Sequence, residues 1–345
     1  MNEPRKEVTI YDIAKKLNIS AATVSRALHD DHKVKKSTKK KILIAADEMG
    51  YRTNPFASNL RKKRGNIIGV IVPRLNSNFM SEVIAGIEKV INDANYNLFI
   101  SQSLETMTKE VSNAKAMFNN RVDGLLVSLA YDTNNIEHFE AFINKGIPVI
   151  FFDRVQEHEQ FPSIFIDNFK AAYELTTHLI EQGCKRILHI GGNQLRNVYK
   201  DRFDGYKRAL QDNNLPWDNE LLIINDLSAE AGLETGATIM QMKTKPDAIF
   251  SANDQCAVSC MQFLTDAGIR VPQDIAIAGF NNDPMSRVIL PNLTTVEYKG
   301  YEMGEAAAKL LIGYLTNNDN LQLTHSVILR SKLIIRNSTR KIIEE

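Results

Sequence analysis

The chain has 345 residues and a net charge of +1, and this length is enough for two or three compact units with separate cores. Residues 1–64 hold sixteen Lys and Arg against seven Asp and Glu, and the remaining residues hold 26 Lys and Arg against 34 Asp and Glu. This distribution is typical of a basic nucleic-acid-binding head on an acidic body. The alternative is a solvated lysine-rich face around residues 39–41. The sequence shows no secretory segment and no 18-residue apolar run, and no histidine lies near Cys256 and Cys260. We therefore expect a cytoplasmic protein with no metal or cofactor.

Two short helices are predicted close to the N-terminus. A capping box of Thr9 and Asp12 starts the first helix, and Ser20 is the predicted N-cap of the second. The first helix has one apolar face, formed by Ile10, Ile13, Ala14 and Leu17. In the second, the residues that face the first helix are Ala21, Val24, Ala27 and Leu28, and the outward ones are Ala22, Ser25 and Arg26.

A third helix is predicted over residues 38–49, ending at Gly50. Three short helices with a projecting second helix are typical of a DNA-reading helix-turn-helix. The next segment favours a helix of about two turns, because Asn54 can cap it, Pro55 suits its first position and Gly65 can end it. A helix this short is marginal in water, so a flexible linker is an equal alternative.

From Ile67 onward, short apolar runs alternate with helical stretches such as residues 80–94 and 111–119. The first series of predicted strands covers residues 67–72, 98–101, 125–129 and 149–152. A second series covers residues 164–166, 187–190, 222–224, 248–251 and 275–278. This alternation predicts parallel sheets covered by helices, and two series predict two lobes.

Motifs occur along the whole chain, namely VTIYDIA (8–14), TVSR (23–26), GYRTNP (50–55), ASNL (57–60), NIIGVIVP (66–73), DGLL (123–126), DN (167–168), RFDGY (202–206), ANDQ (252–255), GF (279–280) and LTTV (293–296). In this order they closely resemble the lactose-repressor/galactose-repressor family of bacterial transcription regulators. The resemblance implies an all-α helix-turn-helix domain over 1–53, a hinge helix over 54–65 and a periplasmic-binding-protein-like body over 66–340. That body would have two α/β lobes with parallel sheets, at about 66–163 with 294–322 and about 164–293 with 323–340.

The resemblance also assigns DNA contacts. Arg26 is expected to bind guanine O6 and N7 in the major groove. Ala21 and Ala22 occupy positions that vary with operator preference, and their methyl groups reach at most a thymine methyl. In the hinge, Leu60 is expected to wedge into the minor groove beside Asn54 and Ala57. Expected contacts to the DNA backbone are Tyr11, Ser20, Thr23, Ser25 and His29, although Thr23 and Ser25 are alternatively plain helix surface.

The effector site is expected between the lobes, at the carboxyl ends of the strands. Asp153 and Arg154 directly follow one predicted strand, and Asp254 closely follows another. The motifs and their surroundings add Phe79, Met80, Ser128, Arg196 and Arg202. Leu227 and Asn281 stand where relatives often carry an aromatic residue and an aspartate. Ring stacking is therefore not expected at Leu227, whereas an amide at Asn281 remains compatible with a sugar.

These features predict a DNA-binding regulator, expected to be a homodimeric repressor of a pseudo-palindromic operator, controlled by a sugar or sugar derivative. The alternative is a corepressor-dependent regulator that responds to a non-sugar ligand such as a nucleobase. An enzyme is disfavoured, because neither GxxxxGKS/T nor GxSxG occurs. The tail after Thr339 lacks leucine heptads, so dimers are expected rather than tetramers, with residues 118–122 as a partner face.

Overall fold

The computed structural model of the protein describes residues 8–28, 30–51, 65–156, 161–317 and 326–340. The chain divides into two compact units, Met1–Gly65 and Asn66–Glu345. Four of the predicted DNA contacts, His29, Asn54, Ala57 and Leu60, lie outside the described residues. The predicted hinge helix also lies outside them, up to residue 64.

The first unit contains three short helices, α1 (Ile10–Leu17), α2 (Ala21–Leu28) and α3 (Lys36–Glu48). The predicted caps are formed, since the Thr9 amide donates to Asp12 Oδ2 at 2.8 Å and the Thr23 amide donates to Ser20 Oγ at 3.1 Å. The apolar faces meet in one small core, formed by Ile13, Ala14, Val24, Ala27, Ile42, Ala45 and Ala46. This core fixes α2 with its opposite face outward.

The second unit alternates strands and helices. Its described strands are β1 (Ile67–Val72), β2 (Asn97–Gln102), β3 (Gly124–Val127), β4 (Val149–Phe152), β5 (Ser163–Ile166), β6 (Ile187–Gly191), β7 (Leu222–Ile224), β8 (Ala248–Ser251), β9 (Ala276–Ala278), β10 (Thr295–Glu297), β11 (Ser326–Leu329) and β12 (Lys332–Ile334). Its described helices are α4 (Asn78–Asp93), α5 (Met107–Asn119), α6 (Glu140–Ile143), α7 (Asn168–Glu181), α8 (Asn197–Asp212), α9 (Ala229–Gln241), α10 (Asp254–Asp266), α11 (Met285–Val288) and α12 (Gly300–Asn317).

Two parallel sheets confirm the predicted fold class. The first lobe has a six-stranded sheet in the order β11-β5-β4-β3-β1-β2, and the second has a four-stranded sheet in the order β7-β6-β8-β9. All pairings within both sheets are parallel. Every residue of β1 is buried, as expected for a strand covered on both faces. A separate antiparallel pair joins β10 to β12.

The assignment of two segments to the second lobe is wrong. Residues 164–166 were predicted to open the second series of strands, but β5 pairs with β4 in the first sheet, with Phe152 opposite Ile164. On its other side β5 pairs with β11, which falls in the tail that was also assigned to the second lobe. Hydrophobic patterning identifies a buried strand but carries no information about its partner, and this is the physical reason for the error.

In the first lobe, α4 and α12 pack with their backbones in close approach. A Cβ at Gly86 of α4 would collide with the carbonyl oxygen of Tyr301 and come within 3.0 Å of the Glu305 nitrogen. On the facing helix, a Cβ at Gly304 would lie 3.0 Å from the Ile87 nitrogen. Only glycine permits this separation, so the two helices are in backbone contact at these positions.

In the predicted partner face around residues 118–122 the two apolar side chains point into the lobe, and only the polar residues 119–121 are exposed. Phe118 packs edge-on against Phe142 with ring centroids 5.3 Å apart, and Val122 is buried in the same core. Burying these apolar groups within the lobe is favourable, and it leaves this stretch little hydrophobic surface for a second chain.

Candidate functional site

The outward face of α2 presents the residues that the sequence predicts to read DNA. Ala22 and Arg26 are exposed, and Ala21, Thr23 and Ser25 are partly buried. The side chain of Tyr11, on the neighbouring helix α1, is 70% exposed. The hydroxyls of Ser20 and Thr23 lie 2.8 Å apart at the start of α2. The described members of the predicted set therefore lie on one small three-helix unit around one exposed helix.

The second unit contains a cavity of about 340 Å³ between its two lobes. The cavity lies where several strands end, because residues that follow β1, β2, β4, β7 and β8 line it. Three helices also start at it, since the N-caps Ser77, Ser228 and Asn253 are among the lining residues. Strand ends and helix starts gather at such a crevice in parallel α/β folds, where ligands bind.

Seven of the ten predicted effector residues line this cavity. They are Phe79, Met80, Asp153, Arg154, Arg202, Leu227 and Asn281. The other three, Ser128, Arg196 and Asp254, are buried and do not line it. Sequence position alone does not distinguish a side chain that faces the cavity from one that supports it from behind.

Arg154 is held by an array of polar groups on one wall. Its guanidinium makes two bonds to Glu105, at 2.6 and 3.3 Å, and donates to the Tyr199 hydroxyl at 2.9 Å. Arg74 Nε lies 3.4 Å from Glu105 Oε1. Burial alone lowers the pKa of Arg154, but the interactions with Tyr199 and Glu105 outweigh it and raise the net pKa. The planar guanidinium is therefore fixed in orientation and charged.

Arg202 lies deep in the cavity, stacked on an aromatic ring. Its guanidinium carbon is 3.6 Å from the centroid of Phe280. Nε donates to Asn168 Oδ1 at 2.9 Å, and Nη1 donates to the Ala252 carbonyl at 2.6 Å. Burial lowers the pKa of this arginine from its usual value. The stacking and the two bonds hold a rigid donor at the cavity surface.

Asp153 anchors an aromatic platform at the end of β4. Its carboxylate accepts hydrogen bonds from the hydroxyls of Tyr298 and Ser128. The Tyr298 ring in turn stacks on Phe79, with centroids 4.2 Å apart. Burial raises the pKa of Asp153, and its backbone has a φ of +60°, a region that non-glycine residues rarely adopt. Ser128 therefore acts through Asp153 rather than at the cavity surface.

Asp254 belongs to a buried network behind the cavity. It accepts from the Thr295 hydroxyl and the Asp283 amide, each at 2.7 Å. Burial raises the pKa of Asp254 to about 7, and that of Asp283 to about 6. A Cβ at Gly279 would collide with the Asp254 carboxylate, so only glycine fits beside it. Asp254 thus joins the start of α10 to β10.

Several lining residues were not predicted from the sequence. Glu105 follows β2, and Asn253 directly precedes Asp254, so the rule of searching strand ends could have found both. Tyr199 is one turn before Arg202 on α8, on the same helix face. Tyr298 offers no such signal, because its place beside Asp153 depends on how β10 crosses between the lobes. Among the described residues, no helix is long and apolar enough to cross a membrane, and no metal-binding cluster of acidic, His or Cys side chains is present.

Comparison with known proteins identifies both units. Residues 9–54 match the model for bacterial regulatory proteins of the lacI family, and residues 176–339 match a periplasmic binding protein-like domain. Catabolite control protein A of Priestia megaterium is 32% identical, over 94% of this chain and 98% of that protein. The chain belongs to the LacI family of bacterial regulatory proteins. It is therefore a DNA-binding transcriptional regulator and not an enzyme.

Solved structures of other transcriptional regulators show the same fold. The lac repressor dimer bound to operator and the anti-inducer ONPF has a TM-score of 0.84 and 24% identity, covering 97% of this chain and 99% of that chain. A complex of the transcriptional regulator CelR with cellobiose has a TM-score of 0.73 and 22% identity, covering 96% of this chain and 100% of that chain. This likeness extends over both units.

Proposed function

We propose that this protein is a homodimeric repressor that binds a pseudo-palindromic operator and is controlled by a carbohydrate in the cavity between its lobes. The observation that carries the proposal is the combination of an exposed α2, with Arg26 outward, and a polar cavity formed by strand ends in the second unit. A bacterial regulator of transcription acts where the chromosome is, so we place it in the cytoplasm.

For operator reading, we propose that Arg26 recognises a guanine edge and that Ala21 and Ala22 add contacts no larger than a methyl group. Tyr11, Ser20, Thr23, Ser25 and His29 would position the unit on the phosphates. Asn54, Ala57 and Leu60 would serve the minor groove. The named structure of a lac repressor dimer on operator DNA supports this arrangement by analogy.

A carbohydrate suits the cavity chemically. Sugar hydroxyls need fixed, planar hydrogen-bonding groups, and the C–H face of the ring needs an apolar surface. Arg154 and Arg202 supply rigid guanidinium groups, and the stacked Phe79 and Tyr298 supply a ring surface. Asn281 adds an amide to the same lining. That CelR is described in complex with cellobiose supports a sugar in this fold.

Dimerisation is proposed through the outer edge of the first sheet rather than residues 118–122. β2 is the edge strand, and among the described residues it lacks a second neighbour. Large apolar side chains are exposed on and beside it, namely Leu75, Phe99, Ile100, Leu104 and Val111. Exposed edges with apolar side chains are normally covered. A second copy is the occupant we propose, because a pseudo-palindromic operator needs two copies of α2 related by two-fold symmetry.

The DNA assignment is tested by fluorescence anisotropy with DNA from beside the protein's own gene and with scrambled DNA, at several salt concentrations. Arg26→Ala should reduce discrimination between the two DNAs by about 5–150-fold, which corresponds to roughly 1–3 kcal/mol. Lys15→Ala removes the same charge from an exposed position on α1 and should weaken both DNAs equally. Full discrimination by Arg26→Ala would refute the proposed reading role.

The effector assignment is tested by titration calorimetry with a panel of sugars, sugar phosphates and nucleobases. Arg202→Met serves as the cavity-defective control. Binding of a sugar that also changes operator affinity supports the proposal, and weakening or strengthening of DNA binding identifies it as an inducer or a corepressor. Binding of a nucleobase and of no sugar would refute the carbohydrate proposal in favour of the alternative, a non-sugar effector.

A further inference from the structure

Beside the cavity, a set of direct hydrogen bonds joins the two lobes. Asn193 Nδ2 donates to the Tyr131 carbonyl at 2.8 Å, and the Tyr131 hydroxyl donates to the Asn225 carbonyl at 3.1 Å. Arg196 Nη2 donates to the Thr133 carbonyl. We call these three bonds the interlobe clasp. They connect the loop after β3 in the first lobe to the loops after β6 and β7 in the second.

The clasp continues into the effector cavity along the start of α8. Asn197 Nδ2 donates to the Asp153 carbonyl at 3.2 Å, and the Val155 amide donates to Asn197 Oδ1 at 2.9 Å. One turn further on, the Tyr199 hydroxyl accepts from Arg154 at 2.9 Å. Asp153, Arg154 and Tyr199 also line the cavity. The groups that hold the lobes together are therefore contiguous with those that would touch an effector.

A buried carboxylate holds the first-lobe side of the clasp in place. Glu110 is fully buried on α5 and accepts from the Ala130 amide at 2.7 Å and the Thr133 hydroxyl at 3.0 Å. The His138 ring nitrogen Nε2 lies 3.0 Å from the same carboxylate. These bonds fix both ends of the short loop that carries Tyr131 and so help to orient its carbonyl and hydroxyl toward the second lobe.

Unpaired buried donors oppose the clasp. Arg196 is only 4% exposed, yet within the described part of the chain its Nε and Nη1 have no hydrogen-bond partner. Burial and the nearby Arg154 lower the pKa of Arg196. Buried donors without partners regain hydrogen bonds with water when the lobes separate, which favours opening. The Nη2 bond to the Thr133 carbonyl favours the joined lobes, and the two unpaired donors reduce its net contribution.

We infer that Arg196 is a positioning residue that favours the closed lobes through the interlobe clasp. The effector part of this inference rests on the proposed function. A bond that changes the population of the closed lobes also changes the response to an effector that binds one arrangement more tightly. The position of Arg196 outside the cavity lining is consistent with this role.

The clasp is tested by measuring the distance between the lobes in the full-length protein. Lys109→Cys on α5 and Glu234→Cys on α9 introduce exposed sites for nitroxide labels, while all three natural cysteines are buried. Double electron–electron resonance, with labelled chains diluted in unlabelled protein, then reports the distribution of lobe separations. The measurement needs neither DNA nor effector, so it tests the clasp independently of the proposed function. Failure to bind an operator would refute only the proposed function.

Arg196→Met should shift the distribution toward longer distances, and Arg196→Lys should restore part of the short-distance population. Tyr131→Phe removes one bond and should raise the ratio of open to closed molecules by about fivefold. Lys200→Met is the matched control, because Lys200 lies on the same helix, is exposed and bonds only to Asp204 among the described residues. It should leave the distribution unchanged.

Unchanged distances in Arg196→Met and Tyr131→Phe would overturn the inference. If Arg196→Met does not fold, Tyr131→Phe and Asn193→Ala decide. Tyr131→Phe removes a single bond, and Asn193→Ala removes the bond to the Tyr131 carbonyl together with the local bond from the Leu195 amide. An equal shift in Lys200→Met would also count against a specific role of the clasp, because it would show that any change on α8 opens the lobes.

Discussion

Asp254 should make the second unit less stable as the pH rises toward neutrality. Its folded pKa is about 7 against 3.8 for an unperturbed aspartate, chiefly because burial disfavours the charged form. Between these values the folded protein binds more protons than the unfolded chain, so stability falls with increasing pH. The shift corresponds to about 4 kcal/mol, which is present in full below pH 3.8 and lost by the time the pH passes 7.

Asp254→Asn isolates this contribution. The amide oxygen can still accept from the Asp283 amide, and the amide nitrogen can donate to the Thr295 hydroxyl, which is able to accept. Near pH 4 the variant and the parent should be almost equally stable. At pH 8 the variant should be more stable by roughly 4 kcal/mol, because it has no buried charge to desolvate.

Urea unfolding followed by the fluorescence of Trp217 is a suitable assay. Trp217 is the sole tryptophan of the chain and packs against Phe203 and Tyr206 in the second unit, so its signal reports the unit that contains Asp254. Comparing parent and variant at each pH cancels the titration of other groups, although Asp283 responds in part to its neighbour. An equal free-energy difference at pH 5 and pH 8 would refute the reasoning.

Three further substitutions test packing and hydrogen bonding in the second unit. Gly86→Ala should destabilise the unit by about 2–4 kcal/mol, because the new Cβ collides with the Tyr301 carbonyl. Gly313→Ala on α12 should instead stabilise it by about 0.5–1 kcal/mol, because nothing lies within 4 Å of the new Cβ. Thermal unfolding distinguishes the two, and equal effects would contradict the close approach of the helices. Tyr206→Phe removes a buried 2.7 Å bond to the Ile187 carbonyl and should cost about 1–2 kcal/mol in urea unfolding, whereas no loss would show that this bond contributes little.

Local patterns predicted the secondary structure well because they depend on nearby residues. The capping residues Thr9 and Ser20 lie where the sequence places them, and β1 has the predicted bounds. Sheet membership was harder, as β5 and β11 show, because pairing is a long-range property. A buried strand next to a long crossing segment can join either sheet without any change in its own hydrophobic pattern.

The cavity was predictable in outline but not in its orientation of side chains. Asp153 and Arg202 were found from strand ends and motifs, and both line the cavity. Ser128 and Arg196 lie just as close in sequence to strand ends or helix starts, yet they are turned toward Asp153 and Thr133. Whether such a side chain faces the cavity or the protein interior depends on its orientation. Tertiary packing sets that orientation, and the local sequence does not reveal it.

The glycine contact between α4 and α12 has a mechanical consequence. α4 begins at the cavity with Phe79, and α12 follows shortly after Tyr298, the ring stacked on it. Because the backbones meet closely at Gly86 and Gly304, we expect the two helices to move together. A displacement of the stacked Phe79 and Tyr298 rings is therefore expected to move both helices together.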